Sequence, residues 1–198
     1  MKRHSFVGSN MAGLLVAVFA ISAPVILGAD DVLTQHNNNA RTGAILDETI
    51  LNTTSVNSAK FGKLWTLFTD GQVVAQPLYV SGLAIDTSAS PNAPRVTGTF
   101  NAVVIATMHN TVYVYDADKE NRGPEGRTTP LWATWLGKPR PGSKDIDMFR
   151  TNDPDWGILS TPVISDDRKT LFVVAWHDDG PHGLKSRRRE SRIRFQGL

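Results

Sequence analysis

The chain has 198 residues, enough for one or two domains and a sizeable core. It contains no cysteine, which excludes a disulfide framework and any thiolate acting as nucleophile or metal ligand. The formal charge of +2 is unevenly placed: with Lys2, Arg3 and the six bases and one acid of 185–198 set aside, the body carries a net −5, which excludes nucleic-acid binding by the protein as a whole.

At the N-terminus, Lys2, Arg3 and His4 precede an apolar run from Met11 to Ala29 whose only polar side chain is Ser22. A basic start, an apolar stretch and a small residue before Asp30 form the pattern of a secretory signal peptide over 1–29. Pro24 and two glycines interrupt the run, and Leu27 stands where alanine would make a better cleavage site. About 20 apolar residues also suffice to span a bilayer, so an uncleaved anchor is the rival reading and the only route to a membrane. Both place the remainder outside the cytoplasm, in the periplasm or beyond the cell. Residues 30–62 then form a leader segment.

After Asp30 no stretch keeps a helical period, and short β-rich runs alternate with turn residues. Lys63–Phe68 is the first expected strand. Gln72–Val80 follows across Thr69-Asp70-Gly71, and Asp86–Pro94, rich in Ser, Pro and Asn, reads as a loop. Ala102–Thr107 and Thr111–Tyr115 flank Met108-His109-Asn110, where His and Asn tolerate the positive φ of a tight hairpin. Leu131–Leu136, Ile158–Ile164 and Thr170–Trp176 complete the series.

Two elements recur. Leu64-Trp65-Thr66 returns as Leu131-Trp132-Ala133, and each is followed by a glycine and then a proline: Gly71…Ala75-Gln76-Pro77 and Gly157…Ser160-Thr161-Pro162. Val104-Ile105-Ala106-Thr107-Met108-His109-Asn110 matches Phe172-Val173-Val174-Ala175-Trp176-His177-Asp178. Such self-similarity marks a repeated supersecondary unit. Each unit reads as a four-stranded antiparallel meander, A to D. The first has A at 72–80, B at 102–107, C at 111–115 and D at 131–136; the second has A at 158–164 and B at 170–176.

Gly71-Gln72-Val73…Pro77, Val104-Ile105-Ala106-Thr107…Val112-Tyr113-Val114-Tyr115-Asp116-Ala117-Asp118 and Leu131-Trp132 together resemble the repeat of quinoprotein alcohol dehydrogenase-like β-propellers, the PQQ-type repeat. Gln35-His36-Asn37-Asn38-Asn39-Ala40-Arg41-Thr42-Gly43 resembles the leader before the first blade in exported bacterial members. The resemblance covers about 31–184 and implies an all-β fold: a partial β-propeller of about one and a half blades over 63–184, with 63–68 as an N-terminal closing strand. It also implies that a complete propeller of this kind could bind pyrroloquinoline quinone and calcium. The adjacent-cysteine pair of many such enzymes has no counterpart here, and no catalytic, cofactor-binding or metal-binding residue is carried across.

Closed propellers need four to eight blades, so these units are too few, and open sheet edges would favour self-association. After His177-Asp178 the sequence turns to Asp179-Gly180-Pro181 and then to the basic run from Lys185, with no alternating third strand. Residues 185–198 are therefore expected to be disordered, either an electrostatic hook for an anionic surface or, as the mid-repeat break favours, an end without a selected role. The functional expectation is a truncated fragment of an exported PQQ-like propeller acting as a binding or scaffold module, with a fragment of a quinone-dependent alcohol or sugar dehydrogenase as the alternative.

Strand parity puts the B–C and D–A connections at one end of each unit. That end collects His109-Asn110, His177-Asp178 and the segment Gly137–Trp156, with Lys144, Asp145, Asp147, Arg150, Asp153, Asp155 and Trp156. Long segments of this kind are often functional. The two histidines are read first as turn residues, the acids as a solvated loop matching no calcium motif, Trp65, Trp132 and Trp135 as packing between blades, and Asp116-Ala117-Asp118 as a turn.

Overall fold

The computed structural model describes residues 30–46, 48–88, 95–142, 154–178 and 187–195. The expected signal peptide and Lys144, Asp145, Asp147, Arg150 and Asp153 lie outside the described residues. The fold is all-β, with antiparallel pairing throughout. The first sheet has the order β1-β2-β3-β4: β1 (Leu78–Asp86), β2 (Thr97–Ala106), β3 (Thr111–Asp116) and β4 (Trp132–Trp135). A two-stranded ribbon follows, β5 (Arg140–Pro141) with β6 (Asp155–Trp156). The last sheet has the order β7-β8-β9: β7 (Val163–Ile164), β8 (Thr170–His177) and β9 (Arg187–Arg194).

The strands form where apolar and polar residues alternate. In β1 the alternation buries Leu78, Val80, Leu83 and Ile85, and β8 buries Leu171, Val173, Ala175 and His177. All of these but His177 join Val104, Val112, Val114, Trp132, Ile158, Ile164 and Ile193 in one apolar cluster spanning both larger sheets. Each fully buried Val, Leu or Ile stabilises the fold by roughly 1.5–3 kcal/mol.

The first sheet holds the expected meander, but its first strand lies later in the chain. Only Leu78–Val80 of the expected 72–80 is strand, and β1 continues through Ser81-Gly82 to Asp86. The register shifts between Val80 and Leu83, with Gly82 at φ 60°, so the pair forms a bulge. The bulge frees the Ser81 amide, which donates to Asp31 Oδ1 at 2.7 Å, while the Gly82 amide donates to Asn101 Oδ1 at 3.0 Å. Beyond it Leu83 and Ile85 pair with Phe100 and Gly98, which is why β2 begins five residues before its expected start.

Residues 63–68 are not a strand. The segment is extended, with Trp65 and Leu67 half-buried and Leu64 and Phe68 exposed, but side chains hold it in place of a backbone ladder. Thr128 Oγ1 donates to the Thr66 carbonyl at 2.7 Å, and the Tyr115 hydroxyl donates to the Phe68 carbonyl. Large apolar side chains stay exposed from Ile45 to Val74.

The last sheet corrects the expectation of a disordered tail. β9 pairs with the whole of β8, from Thr170↔Arg194 to His177↔Arg187, in the position β3 holds in the first sheet. Ile193 and Phe195 are both 5% exposed and belong to the core, and the Phe195 amide donates to the Lys169 carbonyl at 3.1 Å. Ladder bonds and two apolar anchors thus suffice for a strand in a run that is otherwise mostly arginine.

The two larger sheets share equivalent bonds. The Met108 amide donates to the Gln72 carbonyl at 3.0 Å, and the Trp176 amide to the Gly157 carbonyl at 3.1 Å. Gln72, and not Gly71, is therefore the counterpart of Gly157, which aligns Gln76-Pro77-Leu78-Tyr79 with Thr161-Pro162-Val163-Ile164. Two further contacts obey this register. The Gln76 amide donates to Thr161 Oγ1 at 3.0 Å, and the leader bonds both free edges at matching residues: Val32 exchanges amide and carbonyl with Tyr79, while the Leu33 carbonyl accepts from Ile164 at 2.8 Å. An ion pair of 2.6 Å between Arg168 and Asp31 fastens the leader to the β7–β8 turn.

Candidate functional site

The end of the sheets that carries the β2–β3 turn is where the expected functional residues meet. The turn closes through the Thr107 amide, which donates to the Thr111 carbonyl at 3.0 Å, and the Asn110 amide, which donates to Thr107 at 3.1 Å. Asn110, with φ 63°, takes the left-handed conformation; His109 does not. Asn is one of the few side chains that tolerate this region, so the expected positive φ falls on one of the two residues proposed for it. Asp70 clips the base of the hairpin by accepting from Thr107 Oγ1 at 2.9 Å and from Thr111 Oγ1.

Asn110 does more than turn the chain. Its side chain is fully buried, and its Nδ2 donates to Gly137 O at 3.1 Å and to Trp176 O at 2.7 Å, joining the end of the first sheet to the end of β8. Its Oδ1 is buried without a partner. Gly157 lies directly against it: a Cβ there would sit 2.3 Å from Asn110 Oδ1 and 2.4 Å from the Met108 carbonyl oxygen. No side chain fits, so glycine is required by close approach.

Around this junction the structure gathers His109, Asp155, His177, Asp178 and Trp156, as strand parity predicts. His109 Nε2 lies 3.7 Å from Asp155 Oδ2, both half-buried, a charge pair only when the imidazole is protonated. Trp135 is 62% exposed and donates from Nε1 to the His109 carbonyl at 3.2 Å. It is therefore not buried packing, whereas Trp132 is 4% exposed and in the core. His177 ends β8 rather than occupying a turn; it is buried, bridges to Pro139 through its backbone, and its ring faces Gly137. Trp156 lies in β6, paired with Arg140. Asp116-Ala117-Asp118 is a turn, with the Asp118 amide donating to Asp116 Oδ1 at 2.9 Å.

Lys138 and Asp178 form a 2.9 Å ion pair that raises the lysine's pKa, chiefly through its hydrogen bond to the carboxylate. The Arg140 guanidinium lies 5.9 Å from the Trp176 ring centroid, a cation–π distance. Beneath them burial, more than the neighbouring Asp70, raises the Tyr113 phenol, and burial with Tyr113 and Asp70 pushes Tyr115 up to about 12. Asp70, Lys138 and Arg140 carry no motif and were not foreseen. Asn110 and Asp178 are linked in sequence by the repeat, which signals a shared position without revealing the bonds.

No group of three His, Asp or Glu side chains that could hold a metal ion occurs among the described residues. The edges of β1 and β7 away from their paired strands are bonded to Val32 and Leu33. The polar side chains at the β2–β3 end bind one another or neighbouring backbone, as Asn110, Asp70, Lys138 and Asp178 do.

Fold and site thus define an all-β protein of open antiparallel sheets linked end to end by buried polar bonds. No protein family, curated protein or solved structure matches the chain.

Proposed function

We propose that the chain supplies blades to an exported β-propeller of the quinoprotein alcohol dehydrogenase-like, PQQ-repeat kind, and that it acts as a binding or scaffold module. One observation carries the reading: equivalent residues of two units, Tyr79 with Ile164 and Gln76 with Thr161, meet around a single leader segment. Successive blades about an axis have this arrangement, with first strands innermost and the third strand of each unit toward the rim. The polar end supports a scaffold role, because Asn110 and Gly157 lock neighbouring units and leave their outer faces for partners.

A ring of such units needs at least about four. The two here therefore need further units, from more chain or from other copies, and the exposed apolar residues between Ile45 and Val74 are the surface such units would cover. Light scattering on the purified chain tests this: assemblies larger than one chain are expected, and a soluble, cooperatively unfolding monomer would remove the propeller reading. In the same preparation, pyrroloquinoline quinone added with calcium should elute apart from the protein. Co-elution of the chromophore would replace the scaffold role with a quinone-dependent oxidoreductase.

A further inference from the structure

Between the leader and the β7–β8 turn lies an open cleft of about 460 Å³, within the ~300–1,000 Å³ range of small-molecule sites. We infer that this cleft binds a neutral polyhydroxylated ligand of monosaccharide size, a site built by the leader and the β7–β8 turn together that does not depend on ring closure.

The cleft is made by a tight fold of the leader. His36, Asn37, Arg41 and Gly43 all have positive φ, and the Gly43 amide donates back to the His36 carbonyl at 3.1 Å. Arg41 reaches from the far side to the Gln35 carbonyl at 2.8 Å, so its charge is turned toward the leader's own backbone. The cleft is lined by Asn37, Asn38 and Asn39 from the leader and by Ser165 and Asp166 from the β7–β8 turn. Leu33, Val163 and Ile164 add the apolar part of the lining.

The chemistry of the walls selects the ligand. Asn38 is occupied in the turn, accepting from the Ala40 amide at 3.0 Å. Asn37 bridges to Thr34 through its backbone, but the side chains of Asn37, Asn39 and Asp166 make no hydrogen bond with any described residue, so two amides and a carboxylate remain for a ligand. Amides offer paired donors and acceptors, and a carboxylate accepts two hydroxyls at once. That combination matches adjacent hydroxyls, while the apolar strip suits the C–H face of a sugar ring. An anion is disfavoured by Asp31 and Asp166. Calcium requires six to eight oxygens, and of the two carboxylates here Asp31 is already committed to Ser81 and Arg168. Just under the cleft Thr34, 4% exposed, keeps a buried hydroxyl with no partner, which a ligand settling against the leader could satisfy.

Saturation-transfer NMR on the full chain with glucose, galactose and mannose at millimolar concentration tests the inference. Transfer to the ring protons of at least one sugar is expected. Asn39→Ala and Asp166→Ala, on exposed positions that leave the core untouched, should each weaken it at least about fivefold, the worth of one net hydrogen bond. Thr34→Val should weaken it too without lowering the urea midpoint. No transfer with any of the three sugars, transfer unchanged in both wall variants, or a response to calcium chloride alone would each overturn the assignment.

Discussion

In the first sheet the third strand, β3, buries five of its six residues. In the last sheet the matching place is held by β9, whose only aliphatic residue is Ile193, with Phe195 one position past its end. β3 pairs five of its six residues with β2, and β9 pairs all of its own with β8, so the lack of a backbone ladder does not separate them. What differs is the number of side chains that drive each strand into the core. A strand can therefore be placed by its ladder and two anchors, but its stability then hangs on those two.

The strongest way to break the pairing of the two sheets is at their junction. Gly157→Ala drives a methyl into the Met108 carbonyl and Asn110, neither of which can move without opening the β2–β3 turn. A loss of about 3 kcal/mol or more is expected from urea unfolding. Gly71→Ala meets mainly the half-buried His109 ring and should cost distinctly less, so equal losses would show that the junction is not the rigid point.

The contrast between β3 and β9 is sharpened by Phe195→Ala, expected to cost ~3 kcal/mol. Hydrogen exchange should then show faster exchange along Arg187–Arg194 while the amides of β2 and β3 keep their protection. Uniform loss in both sheets would mean that they unfold as one unit and that the two anchors are not a local weakness.

The smallest effect concerns the extended segment before the first sheet. Tyr115→Phe removes the hydroxyl that donates to Phe68 and should cost ~1 kcal/mol. Burial chiefly, with Tyr113 and Asp70, holds the phenol near 12 in the folded chain against 10.0 for the ordinary group. The folded state thus keeps a proton that the unfolded chain loses, and the stability this gives is full below about pH 10 and lost as pH rises toward 12. Unfolding measured across that range should fall less steeply in the phenylalanine variant.

The legible part of this fold is the part that alternates. Val-Val-Ile-Ala and Val-Tyr-Val-Tyr reveal β2 and β3, and the repeat reveals β8. The bulge at Ser81-Gly82 hid the second half of β1, because its break in alternation looks like a turn until Leu83 and Ile85 resume on the buried face. Lys63–Phe68 failed in the opposite sense: its composition suits a strand, yet no neighbour offers it a ladder, and edge context overrides propensity. β9 was invisible because its arginines dominate a pattern carried by Ile193 and Phe195. At the candidate site, strand parity placed His109, Asp155 and His177 at one end, but the bonds of Asn110 to Gly137 and Trp176 depend on how sheets meet, which no local pattern records.

The leader's two attachments also set an order of assembly. Its reach in sequence to Ile164 is nearly three times its reach to Tyr79, so closing the longer loop costs ~0.6–1 kcal/mol more. The nearer strand is captured first, and the farther one docks onto an edge already shaped by Val32 and Leu33. The short N-terminal stretch thus works as a clasp, held open until the second sheet forms and then shut across both.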